Sequence, residues 1–147
     1  MRYLGLDLGS RTLGIAVSDK TGLIATSYKT IRHNEEYDKL VNIVNDLVDE
    51  LEIDTIVLGF PKNMNNTIGF KGELSLSFKK MLENKIKIPI YLEDERLTTV
   101  TANNVLISGN VSRKKRKKVV DSLAATIILQ SYLDRRDKWW KKILFQC

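Results

Sequence analysis

The sequence predicts an α/β fold: a mixed five-stranded sheet in the order βββαβαβαα, with helices on both faces. Three observations predict it. Short apolar runs separated by glycine-bearing turns open the chain in quick succession, as in an antiparallel meander. Beyond residue 33 the apolar spacing changes to a helical one, and runs of the two kinds then alternate, as strand–helix–strand units require. With 147 residues, 43% hydrophobic and 29% charged, the chain is large enough to close one core without disulfides or a structural metal.

Residues 3–8 form the first run, ending at Gly9-Ser10-Arg11, and residues 13–18 follow at once as its hairpin partner. Lys20-Thr21-Gly22 makes the next turn, and Leu23 to Ile31 reads as a third, antiparallel strand. Leu40, Val41, Val44, Leu47, Val48 and Leu51 then recur at helical spacing, behind Asn34 as the expected cap. Residues 55–59 are a continuous apolar run, as in a strand buried on both faces. A polar loop from Pro61 to Gly72 carries Asn63, Asn65 and Asn66, and a helix is expected over Glu73 to Glu83. Ile86 to Leu92 reads as another buried strand, with Lys87 and Pro89 near its start. Thr98 to Ser108 looks helical up to Gly109-Asn110, and Val119 to Leu133 is a last helix containing Ala124 and Ala125. Right-handed crossovers would set the strands at 55–59 and 86–92 parallel to the first.

The net charge of +6 is unevenly placed. Residues 1–110 carry 13 Lys/Arg against 15 Asp/Glu, a balance of −2, whereas residues 111–147 carry 11 against three, a balance of +8. That tail-heavy charge is a field for a polyanion, or else a solubilising surface. The single cysteine, Cys147, can form no internal bridge, which suits a reducing compartment. No apolar run is long enough to span a bilayer, and the first residues read as a strand with no leader-type apolar region. A cytoplasmic protein without membrane contact is expected.

The chemistry is expected from carboxylates. Asp7 interrupts an apolar strand between Leu6 and Leu8, where a buried charge is costly unless a cation or donors meet it. Gly5 and Gly9 share its face at period two and clear space for a helix or a phosphate backbone to approach. An acid that merely caps the turn at Gly9-Ser10 is the plainer alternative. Glu93-Asp94-Glu95 follows the strand 86–92, and strand carboxyl ends are where open sheets tend to carry sites. Alternation puts Glu93 and Glu95 on one face and Asp94 on the other; a metal or Arg96 would relieve their repulsion. Asp121 opens the last helix, one turn before Ala125, whose small side chain lets that helix pack near the sheet. It is also where an acid serves the helix dipole. Together Asp7, Glu95 and Asp121 make an oxygen-rich set suited to Mg²⁺ or Mn²⁺. Two such ions roughly 3.5–4 Å apart could activate a water and stabilise the leaving oxygen of a phosphodiester. His33 and Cys147 leave little material for a zinc site or a Cys–His nucleophile.

Four blocks in order resemble the YqgF (RuvX-like) family of pre-16S rRNA nucleases, kin of Holliday-junction resolvases. They are Gly5-Leu6-Asp7-Leu8-Gly9-Ser10-Arg11 running on to Ser18-Asp19, then Val57-Leu58-Gly59-Phe60-Pro61, then Asp94-Glu95-Arg96-Leu97-Thr98-Thr99, and Lys118-Val119-Val120-Asp121-Ser122-Leu123-Ala124-Ala125. The resemblance covers residues 1 to about 134 and implies a ribonuclease H-like nuclease domain there, with 135–147 as a basic, aromatic tail. It implies that Asp7, Glu95 and Asp121 are catalytic metal ligands and that Arg11, Arg96 and Lys118 sit near them to bind phosphate oxygens. Ser18 and Asp19 would help shape the site. The implied substrate is precursor small-subunit ribosomal RNA, cut near its 5′ end, with ribosomal particles as partners and a monomer or homodimer as the acting species. The loop Lys62-Asn63-Met64-Asn65 departs from the short glycine-rich pattern expected after Pro61.

Arg113, Lys114, Lys115, Arg116, Lys117 and Lys118 place six cations just before Asp121 and would bind nucleic-acid phosphates without sequence choice. Trp139 and Trp140 among lysines would stack on bases or pack against the protein. A four-way DNA junction resolvase and a catalytically silent nucleic-acid-binding module of the same fold stand as alternatives. A sugar-kinase-like ATPase, whose phosphate loop resembles Asp7-Leu8-Gly9-Ser10, needs two such domains, and this chain supplies one.

Overall fold

The computed structural model describes residues 1–62, 65, 67–95 and 123–136. The expected helix at 98–108, Arg96, the basic run 113–118, Asp121 and the Trp139-Trp140 tail lie outside the described residues. The elements run β1 (Tyr3–Leu8), β2 (Thr12–Ser18), β3 (Ala25–Arg32), α1 (Tyr37–Glu50), β4 (Thr55–Phe60), α2 (Phe70–Lys85) and β5 (Ile90–Asp94). Residues 123–136 are helical and are termed α3. The sheet order is β3-β2-β1-β4-β5. β1 pairs antiparallel with β2 and parallel with β4, β2 pairs antiparallel with β3, and β5 lies parallel to β4. The mixed sheet and both parallel crossovers follow the expected topology.

Alternation along β1 sorts the core into two layers. Leu4, Leu6 and Leu8 join Leu40, Val44 and Leu47 of α1 and Phe78 and Leu82 of α2 on one side. Tyr3 points the other way, with Ala16 and Val57, against Ala125, Ile128, Leu129 and Leu133 of α3. Helices therefore cover both faces. Every residue of β4 is buried, which is why its sequence reads as unbroken apolar chain rather than alternating.

Three boundaries differ from the sequence reading, each for a local reason. β3 begins at Ala25 rather than Leu23, because the Asp19 carboxylate accepts from the Leu23 and Ile24 amides at 3.0 and 3.1 Å and holds them in the turn. α1 is entered at Glu36, not Asn34, and no side chain caps it. Glu35 takes a left-handed φ of 65° there, while its amide donates to His33 Nδ1 at 3.0 Å. β5 begins at Ile90, since the Ile86 amide still closes α2 onto Leu82 and the Pro89 carbonyl only then meets the Ile56 amide. α2 itself extends beyond the expected 73–83 at both ends.

Candidate active site

β1 presents Tyr3, Gly5 and Asp7 to the α3 side, and β5 presents Tyr91 and Glu93 to the same side, with Glu95 just past its end. The register pairs Leu58 with Leu6 and with Leu92, so Asp7 and the end of β5 flank β4 at the carboxyl ends of three parallel strands. Gly59 makes the junction possible. A Cβ there would stand 2.7 Å from Ile128 Cδ1 and 3.0 Å from the Glu95 carboxyl. The glycine is therefore the space into which Glu95 folds back over the sheet, an approach that a larger residue would block. The Glu95 amide meanwhile donates to the Phe60 carbonyl at 3.3 Å.

Asp7 and Glu95 meet there and share a side-chain hydrogen bond. Burial first, and then the Asp7 charge and that hydrogen bond, push the Glu95 carboxyl up to about 9, while Lys71 at the start of α2 pulls the other way. Two carboxylates cannot both stay ionised at such a contact. The pair holds either a proton or a cation. Asp94 points to the opposite face, as alternation predicts.

Gly5 serves the helix. A Cβ on it would lie 2.7 Å from Leu129 Cβ and 3.0 Å from the Ala125 carbonyl, so α3 packs directly on the strand. Ala125 also lies over Gly14, where a Cβ would be 3.5 Å from Ala125 Cβ and 3.7 Å from Asp7 Cβ. Gly9 has a different duty from the one expected: its amide donates to the Thr12 carbonyl at 2.8 Å and tightens the β1–β2 turn. Arg11 is exposed on that turn. His33 braces it, with Nε2 3.0 Å from the Gly9 carbonyl and its own amide donating to the Arg11 carbonyl at 2.9 Å.

Ser18 and Asp19 correct the expectation that they shape the acid site. Asp7 faces Gly14 across the hairpin, whereas β2 runs on from there to Ser18, roughly 13 Å further along at strand rise. At that far end Ser18 Oγ accepts from the Tyr3 amide at 2.8 Å and donates to the Asp19 carbonyl at 2.9 Å. Asp19 organises the turn to Ile24. Hydrogen bonds from the Thr21 hydroxyl, the Ile24 amide and the Leu23 amide hold its carboxyl down at about 2. Of the expected triad, the described residues bring together Asp7 and Glu95, and among them no group of three potential ligands surrounds a metal position. Asp121, Arg96 and the basic run lie outside them.

Residues 1–135 match the RuvX family, described as Holliday junction resolvase. The chain belongs to the RuvX family. A relative of this RuvX-family chain from Geobacillus sp. (strain WCH70), provisionally named a pre-16S rRNA nuclease, is 52% identical over 137 residues, 92% of this chain and 99% of its own. One from Bacillus subtilis (strain 168), named likewise, is 53% identical over 135 residues, 91% and 98% of the two chains. Among solved structures, Thermus thermophilus RuvC superposes with a TM-score of 0.58, and RuvC in complex with Holliday junction substrate with 0.63. Both are 14% identical and cover 94% of this chain and 97% and 96% of theirs. At that identity the likeness is one of fold, and the fold is the ribonuclease H-like one.

Sequence reasoning missed three members of this RuvX-family site. Lys71 precedes the expected helix start, Gly59 reads as the end of a strand and as part of a family block with no duty of its own, and Arg135 reads as part of the tail charge. Arg135 Nη1 pairs with Glu93 Oε1 at 2.5 Å, and Glu93 is almost wholly buried, its other oxygen without a hydrogen-bond partner among the described residues. A glycine closing a parallel strand in a Val57-Leu58-Gly59 run was the one signal in the sequence that could have pointed to Gly59.

Proposed function

We propose that the chain is a divalent-cation-dependent nuclease that hydrolyses phosphodiester bonds in precursor 16S ribosomal RNA near its 5′ end. The observation that carries this reading is the Asp7–Glu95 pair, two carboxyls pressed together at the carboxyl ends of parallel strands, with burial and the Asp7 charge driving Glu95 to about 9. Such a pair is unfavourable unless something positive resolves it. Its donors are all carboxylate oxygens, the set that hard divalent cations prefer, so the residues present fit Mg²⁺ or Mn²⁺. Asp121 is proposed as the third ligand, since it precedes by four residues the Ala125 that packs over Gly14 beside Asp7.

Bound by these carboxylates, the cation would supply a Lewis acid for activating water and for stabilising the leaving oxygen. The chain's own residues do the rest. As a ligand Glu95 would be held deprotonated, which would tie cation affinity to pH. Arg11, Arg96 and Lys118 hold phosphate oxygens near the acids. Arg113, Lys114, Lys115, Arg116 and Lys117 bind the flanking backbone, so affinity falls steeply with salt. A soluble cytoplasmic enzyme follows from this reading; among the described residues no helix is long and apolar enough to cross a membrane.

The family's description favours a second reading, a four-way junction resolvase. One assay separates the two: precursor rRNA ends, single-stranded DNA and four-way junctions are offered to the parent and to Asp7→Asn, with Mg²⁺ or Mn²⁺. The rRNA reading expects cation-dependent cleavage of the precursor that Asp7→Asn abolishes. Symmetric cuts in junctions alone would establish the resolvase, and RNA binding with no cleavage of any substrate would leave a silent binding module.

A further inference from the structure

We propose that Tyr91 is a base-stacking subsite, which with Arg135 grips a single-stranded stretch of the nucleic acid to one side of the scissile phosphate. The inference rests on the nuclease reading and names a contact that reading does not use. Tyr91 is a large aromatic residue 48% exposed on β5, the strand that ends at the acid site. Its ring is held in place. It stacks on Tyr132 of α3 with centroids 6.0 Å apart and planes 16° apart, and Tyr132 leans on Tyr3 at 6.0 Å. Arg136 closes the row, 4.9 Å above the Tyr3 ring.

A cation is fixed beside this ladder. The Arg135 side chain is 61% exposed and lies 5.9 Å from the Tyr132 ring centre, yet one nitrogen is anchored on the buried Glu93 carboxylate. The anchor sets the position of the guanidinium and leaves donors facing solvent. A rigid exposed ring beside a positioned guanidinium is what a base and its phosphate require, because stacking tolerates any base and the cation tracks the backbone. Tyr91 pairs with Val57, two residues before the Gly59 over which Glu95 folds back, so the ring lies roughly 7 Å along the sheet from the acid site at strand rise. Stacked nucleotides rise about 3.4 Å each, so the gripped base lies roughly two nucleotides from the scissile bond.

The test is equilibrium binding of a single-stranded RNA octamer to the full chain carrying Asp7→Asn, with a matching set of octamers that each lack one base. Tyr91→Ala should weaken binding about tenfold, within the range for losing one stacked base, while Tyr91→Trp should keep it. One abasic position should cost the Tyr91 protein the same factor and cost Tyr91→Ala nothing. Tyr91→Leu, which keeps bulk without a π face, should behave like Ala and guards against a folding defect. The proposal is overturned if Tyr91→Ala binds like its parent, or is equally sensitive to every abasic position. It is also overturned if the change alters only the oligomeric state in sedimentation, which would make Tyr91 a contact between copies of the chain. Cleavage by the protein with Asp7 intact is scored separately, so loss of the hydrolytic reading and loss of the subsite are distinct results.

Discussion

The two ends of β1 both carry acids and treat them in opposite ways. At the far end Asp19 is surrounded by donors and held down at about 2, and Ser18, Arg2 and Asp54 complete a closed set of bonds. The Arg2 amide donates to Asp54 at 2.8 Å, and the Arg2 side chain donates to the Ser18 and Leu51 carbonyls at 3.1 Å each. At the near end burial and the charge of Asp7 raise Glu95 to about 9. An acid whose hydrogen bonds are all local is structural. An acid driven against another, at a place where the sheet has been cleared of side chains, is where the fold tolerates a cost for chemistry.

The largest expected effect that would break this contrast is on cleavage. Asp7→Asn keeps the shape but removes one cation ligand, and losing several kcal/mol of transition-state stabilisation lowers the rate about a thousandfold or more. Gel assays of precursor RNA cleavage read this directly, and a parent-like rate for the variant would dissolve the distinction between the two ends.

Stability against pH sharpens it next. The folded chain keeps on Glu95 a proton that the unfolded chain releases above its ordinary 4.5, so without divalent cations stability is greatest below that pH and falls as pH rises toward about 9. Melting temperatures in chelator should decline over that window, and Mn²⁺ should restore them most at its alkaline end. Glu95→Gln should flatten both trends. Asp19 acts in the opposite sense, its contribution being present above the usual carboxylate range and lost as pH falls through about 2.

Smaller effects separate packing from ligand placement. Gly59→Ala and Gly5→Ala each push a methyl into atoms 2.7 Å away, and each should cost about 1–3 kcal/mol in denaturant unfolding. Only Gly59→Ala also crowds the Glu95 carboxyl, so calorimetry should show Mn²⁺ affinity falling further in that variant. Equal affinities would mean that Glu95 is not placed by the gap at Gly59. The smallest change is Ser18→Ala, which leaves the buried Tyr3 amide without its acceptor and costs about 1–3 kcal/mol, with cleavage unaffected. Reduced cleavage at unchanged stability would return Ser18 to the active site.

Much of the fold was legible because periodicity is a property of neighbouring residues. The three-strand meander, the helical spacing from Leu40 to Leu51 and the unbroken run of β4 each announced their element. What failed were decisions made by single hydrogen bonds. Asp19 captures the Leu23 and Ile24 amides and delays β3, and His33 binds the Glu35 amide ahead of α1 where Asn34 looked like a cap. The candidate site was half legible: an aspartate in an apolar strand and an acid at a strand end are both locally anomalous. Lys71 and Arg135 are not anomalous in sequence, Gly59 is only a glycine closing a strand, and the duties of all three depend on what lies across from them in space.

By itself the sequence determined the alternation of strand and helix, the side of each strand its residues face, and the concentration of positive charge in the last quarter, since all three are carried by local pattern and composition. Only the tertiary structure decided that Asp7 meets Glu95 while Asp19, on the same hairpin, does not. That outcome depends on β4 lying between β1 and β5 with Gly59 at the crossing, an arrangement set by long-range packing that no window of sequence contains.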